Sequence, residues 1–85
     1  MNADYLPLVV EEAAEIIQAI CKIQRFGPDH HWRREGCTNV TVLAYEVGDF
    51  FEVIERLDLP KCLIEAGRQR KRERLKKYAP EVWCR

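Results

Sequence analysis

Two stretches of this chain repeat one pattern, and that pattern leaves little choice of fold. Drawn at about 100° per residue, Leu6, Val9, Val10, Ala13, Ile16, Ile17, Ile20 and Ile23 fall on one wide face, with Glu12 and Glu15 along an edge beside it. Further on, Val40, Leu43, Val47, Phe50, Phe51, Ile54 and Leu57 form a second apolar face, with Glu46 and Asp49 on the matching edge. The two patterns superimpose at an offset of 34 residues: Glu12 on Glu46, Glu15 on Asp49, Ile16-Ile17 on Phe50-Phe51, Ile20 on Ile54. Apolar residues recurring every three to four positions are helical, and no stretch alternates as a strand does. The expected class is all-α.

Punctuation residues set the boundaries. A first helix is predicted from about Asp4, as N-cap, to Arg25, with Pro7 tolerated in its first turn and Gly27-Pro28 ending it. Residues 26–37 read as a loop. Thr38 or Asn39 can cap a second helix that runs to about Leu57. Leu59-Pro60 breaks the chain, with Asp58 as a cap, and a third helix runs from about Lys61 to Tyr78, where Pro80 stops it. At 85 residues the chain holds one domain, residues 1–85. A domain this small buries only a modest share of its surface. An antiparallel hairpin plus a third helix is therefore expected to be completed by oligomerisation, as a homodimer or homotetramer.

Net charge is zero but polarised. Residues 1–60 carry 11 acids and 5 bases, and residues 61–85 carry 9 bases and 3 acids. An acidic body with a basic tail could hold a metal on one part and phosphates on another, or could be two oppositely charged helices that attract. No transmembrane run or secretory signal is seen, so a cytoplasmic protein with no membrane partner is expected. Cys21, Cys37, Cys62 and Cys84 include no C-x-x-C pair. Reduced thiols are the simple reading, and zinc held by Cys37 with His30 and His31 is the alternative.

Residues i and i+3 are neighbours on a helix. Glu12 with Glu15, and Glu46 with Asp49, can therefore each direct two carboxylates at one point. Two facing helices would then supply four oxygen donors, a set that suits Mg²⁺ or Mn²⁺ better than Zn²⁺. Two unit charges ~4 Å apart repel by about 4 kcal/mol at an effective dielectric near 20, so such a cluster calls for a cation. Acidic residues also occupy ordinary solvated helix faces. Gly48, in mid-helix between Glu46 and Asp49, suggests close approach by a neighbour or a ligand.

Glu11-Glu12-Ala13-Ala14-Glu15 reads E-E-x-x-E, and Glu46-Val47-Gly48-Asp49 reads E-x-x-D. Together they resemble the metal-binding signature of the all-α nucleoside triphosphate pyrophosphohydrolases of the MazG-like type. The run from Leu43 to Phe51 is especially similar to that family's second motif helix. The resemblance covers about residues 5–58. It implies Mg²⁺, or Mn²⁺ in its place, on Glu12, Glu15, Glu46 and Asp49. Glu11 would be a further ligand or would orient the attacking water, so Glu11 and Glu12 are the catalytic candidates. The substrate would be a nucleoside or deoxynucleoside triphosphate, split into monophosphate and pyrophosphate. The family's basic residues after the second motif imply Lys71, Arg74 and Lys77 for the β and γ phosphates. Where relatives often carry an Asn, this chain has Leu75.

Trp32 could stack on a nucleobase, and Asn39 could reach the nucleotide, although helix capping accounts for Asn39 equally well. Two other classes compete with the enzyme: a non-catalytic helical oligomerisation or interaction module, and a nucleic-acid binder built on the basic third helix. No recognition-helix motif or RNA-binding aromatic pair supports the last, so a nucleic-acid partner is not expected.

Overall fold

The computed structural model describes residues 1–31, 36–78 and 81. A 3₁₀ turn, Ala3–Tyr5, leads into α1, Leu6–Phe26. Then come α2, Asn39–Leu57, and α3, Lys61–Tyr78. Among the described residues there is no strand, only an isolated bridge between His31 and Thr38. The helix limits agree with the sequence reading to within two residues. The caps do not agree throughout. Asp4 lies inside the 3₁₀ turn, and Asn2 caps that turn by accepting from the Asp4 N–H. Thr38 caps α2, its side chain accepting from the Thr41 N–H. Asp58 closes α2 in the left-handed region, at φ 57°, rather than opening α3.

α1 and α2 form an antiparallel hairpin tied at both ends. At one end the Asn2 N–H donates to Leu57 O at 2.8 Å. At the other, Asn39 is almost fully buried, and its amide donates to Gly27 O at 3.0 Å and Lys22 O at 3.4 Å. The Asn39 N–H reaches His30 O, and the Val40 N–H reaches Pro28 O. Gly27 takes φ 91°, which a side chain would resist, and its N–H closes α1 on Ile23 O.

The broad apolar face of each helix resolves into two seams. On α1, Val9, Glu12, Ile16, Ala19 and Ile23 step by three and four residues and are shielded, as are Ala13 and Lys22 to either side. On α2 the matching seam is Asn39, Val42, Glu46, Phe50, Val53 and Leu57, all shielded, as are Thr41, Leu43, Val47 and Ile54 beside it. These two seams meet. About a quarter turn away, Leu6, Val10, Ala13, Ile17 and Ile20 make a second seam on α1, in which all but Ala13 are exposed. Among the described hydrophobic residues only Ala19 and Leu57 are buried.

α3 departs from the expected bundle. It has no packing contact with α1 or α2. The molecule measures 42 × 38 × 14 Å, barely more than one helix thick. The reason is visible in α3 itself, which is rich in Lys and Arg and has only Leu63, Ile64 and Leu75 as large aliphatic residues to pack.

Asn39 joins three segments through one buried amide. Asn39→Ala is expected to lower stability by about 1–3 kcal/mol, because two carbonyls lose their donor. A fall in the urea midpoint at constant m-value would show it.

Candidate metal centre

The inner seams place Glu12 and Glu46 opposite one another. Each occupies a position where a helix hairpin ordinarily puts an apolar residue. Sequence reading had set them on an edge beside the apolar face, but in the fold they are half-shielded within the seam. One carboxylate oxygen from each of Glu12, Glu46 and Asp49 lies within 4.8 Å of the others. Opposite oxygens around Mg²⁺ stand about 4.2 Å apart, so small side-chain rotations would close the three on one ion. Among the described residues this is the one such group. Cys37, His30 and His31 form none, and the described cysteines are free thiols.

The charges feel each other. Glu12 is raised from the ordinary carboxylate value of 4.5, first by desolvation between the helices, then by Asp49, Glu46, Glu15 and Glu11. Glu46 is raised by the same desolvation, then by Glu15 and Asp49, while Lys22 opposes the shift. Glu15 and Glu11 are thus part of the same acidic field, although neither joins the converging three. Lys22 is the residue that sequence reading passed over. It lies seven residues, two turns, beyond Glu15, a spacing that sets it on the acidic side of the hairpin.

The remaining candidates fall elsewhere. Lys71, Arg74 and Lys77 stand on α3, which does not touch the carboxylate-bearing helices of its own chain. Lys77 lies over the Tyr78 ring at 5.2 Å. Asn39, whose side chain ties α1 to α2, is not free to read a base. Trp32 lies outside the described residues. A Cβ added at Gly48 would meet nothing within 4 Å, so no close approach inside the chain explains that glycine. An open cavity of about 650 Å³ sits at the α2–α3 elbow, lined by Phe51, Ile54, Leu59 and Ile64 among others, and away from the carboxylates.

No protein-family model, curated protein or solved structure matches this chain.

The raised carboxylates carry a sign that can be tested. Folding disfavours their charged forms, so the destabilisation is complete above the raised values. It fades as pH falls through them toward 4.5. Without divalent cations, Glu46→Gln should melt above the unsubstituted chain at about pH 7, and the gap should narrow toward about pH 4. Thermal melts across that range check both the sign and the window.

Proposed function

We propose that this chain is a Mg²⁺-dependent nucleoside triphosphate pyrophosphohydrolase of the MazG-like type, working as a homo-oligomer. What carries the reading is the convergence of Glu12, Glu46 and Asp49 from two helices. Three oxygen donors close to one another, with the proton affinities of Glu12 and Glu46 raised, are a hard-cation site in need of its charge. The paired motifs on α1 and α2 add the resemblance.

In this proposal Glu12, Glu46 and Asp49 hold the ion, and a rotation of Glu15 completes the set. When bound, Mg²⁺ would make a water more acidic and offset charge on the phosphate oxygens. Glu11, beside Glu12 and exposed, accepts the proton of the attacking water. Lys22, on the acidic side of the same chain, meets the substrate's phosphate charge. Lys71 and Arg74, exposed and unpaired among the described residues, serve the β and γ phosphates of another copy, as α3 does not contact its own carboxylate helices. The products are a nucleoside monophosphate and pyrophosphate, and cytoplasmic clearance of aberrant nucleotides is the matching role. Among the described residues no helix is long and apolar enough to cross a membrane. The basic, unpacked α3 favours a second reading as a nucleic-acid-binding arm.

Incubation with a panel of nucleoside and deoxynucleoside triphosphates should release pyrophosphate and the matching monophosphate with Mg²⁺ or Mn²⁺, and not with EDTA. Glu46→Gln should reduce this by more than the roughly 10–100-fold typical of losing a residue behind a metal ligand. No turnover, joined to salt-sensitive oligonucleotide binding, would transfer the assignment to the second reading. Lys22→Met should raise KM more than it lowers kcat, as steady-state kinetics would show, if Lys22 meets ground-state phosphate charge.

A further inference from the structure

The face of the hairpin that carries the carboxylates continues past them. Turning the same way from the inner seam leads on α1 to Glu15 and Lys22, and on α2 to Asp49 and Tyr45. Antiparallel helices related by a two-fold axis perpendicular to their common plane carry equal rotations to the same side. These four residues therefore share one face. The influence of Glu15 and Lys22 on Glu46, across the helix pair, agrees with that placement.

Ties at both ends of the hairpin fix the register along this face. The Asn2 N–H donates to Leu57 O, and the Asn39 amide donates to Lys22 O. Between those limits Tyr45 falls level with Glu15 and Ile16, on the loop side of the carboxylate centre. It directly precedes Glu46 and stands one turn from Asp49, about 6 Å along the axis. Tyr45 is 70 % exposed. Among the described residues no hydrogen bond or ring contact holds its side chain. The other described aromatic groups are differently placed. Phe26 packs on the His30 ring at 5.5 Å, but lies eleven residues past Glu15, roughly 16 Å along the helix. Phe50 is shielded in the inner seam, and Phe51 turns to the opposite face.

A nucleoside triphosphate held by an ion at Glu12, Glu46 and Asp49 extends two arms. The phosphate chain is drawn along α1 toward Lys22. The base, one sugar and one phosphate from the ion, then lies over α2, where Tyr45 offers the open ring. We infer that Tyr45 stacks on the nucleobase and makes purine nucleoside triphosphates the preferred substrate class, selected by ring area rather than by the base edge. The inference rests on the pyrophosphohydrolase reading and names the substrate of that same site. Stacking on an aromatic side chain changes binding by roughly 5- to 150-fold and tolerates any base, since each has a π-face. Discrimination by the edge needs buried donors and acceptors that a wrong base leaves unpaired. Among the described residues the buried polar side chain is Asn39, and its amide already serves the Gly27 and Lys22 carbonyls. Purines altered at the edge are therefore accepted.

Steady-state kinetics on the full chain with Mg²⁺ test this. ATP, GTP and ITP should share nearly one kcat/KM, several-fold above CTP and UTP. Tyr45→Ala should erase the purine advantage and lose about tenfold on ATP, chiefly through KM, whereas Tyr45→Trp should keep the advantage. A base-free ribose triphosphate is the sharper probe: the unsubstituted chain should handle it as Tyr45→Ala handles ATP. Thermal melts check that the variants fold, as expected for so exposed a side chain. If they do not fold, product inhibition of the unsubstituted chain decides, with AMP and GMP several-fold stronger than CMP, and ribose phosphate weakest. A purine preference that survives in Tyr45→Ala would overturn the inference. So would strong discrimination between ATP and ITP, a base-free substrate used as well as ATP, or equal inhibition by all products. Each of these leaves the enzyme reading standing, whereas no turnover of any nucleotide removes that reading and this inference together.

Discussion

Everything in this chain depends on the seam where α1 meets α2, and on that seam being polar at its middle. Val9, Ile16, Ala19 and Ile23 pack against Val42, Phe50, Val53 and Leu57, yet Glu12 and Glu46 face each other among them. A hairpin selected for stability alone would place apolar residues there. Desolvation and like-charge repulsion both raise the proton affinity of the two carboxylates. The seam is therefore least stable when metal-free at neutral pH, and a divalent cation would relieve the repulsion between its two central acids. Binding of an ion there would be coupled to folding through the same two residues.

The ends of the seam are built to hold that middle in place. Asn39 uses its amide on the last turn of α1 and the following loop, while Asn2 ties the chain start to the end of α2. The Arg56 guanidinium donates to Glu52 on the same helix, and Tyr5, at the end of the 3₁₀ turn, together with Glu52 holds its pKa above the ordinary value. Surface ion pairs such as Arg56–Glu52 at 2.9 Å add little by themselves. Both partners lie on α2, so the pair does not set the register between the helices.

A single layer of helices cannot be a finished domain, because each apolar stripe needs a partner layer. The hairpin satisfies one seam and leaves the other open, and α3 is too polar to close it. The same arithmetic explains why the basic residues and the acidic centre stay apart within one chain. Their meeting, if it occurs, is a property of an assembly.

Helix number, limits and the acidic pairs were legible in the sequence because they depend on local rules: periodicity, Gly-Pro and Leu-Pro breaks, and a hydroxyl or amide before an apolar run. Glu12, Glu46 and Asp49 could be paired from the 34-residue offset alone, since two antiparallel helices joined by one loop have few ways to meet. What the sequence could not decide was everything that depends on which side of a helix is covered. Asn39 looked equally suited to capping and to ligand contact until burial assigned it to the fold. Glu12 and Glu46 looked peripheral until the hairpin drew its seam through them. Lys71, Arg74 and Lys77 looked like neighbours of the carboxylates until α3 proved to leave the bundle. Periodicity reports that a face is apolar, whereas only tertiary packing chooses the surface against which that face is placed. In this chain that choice divides one apolar stripe into a closed seam and an open one.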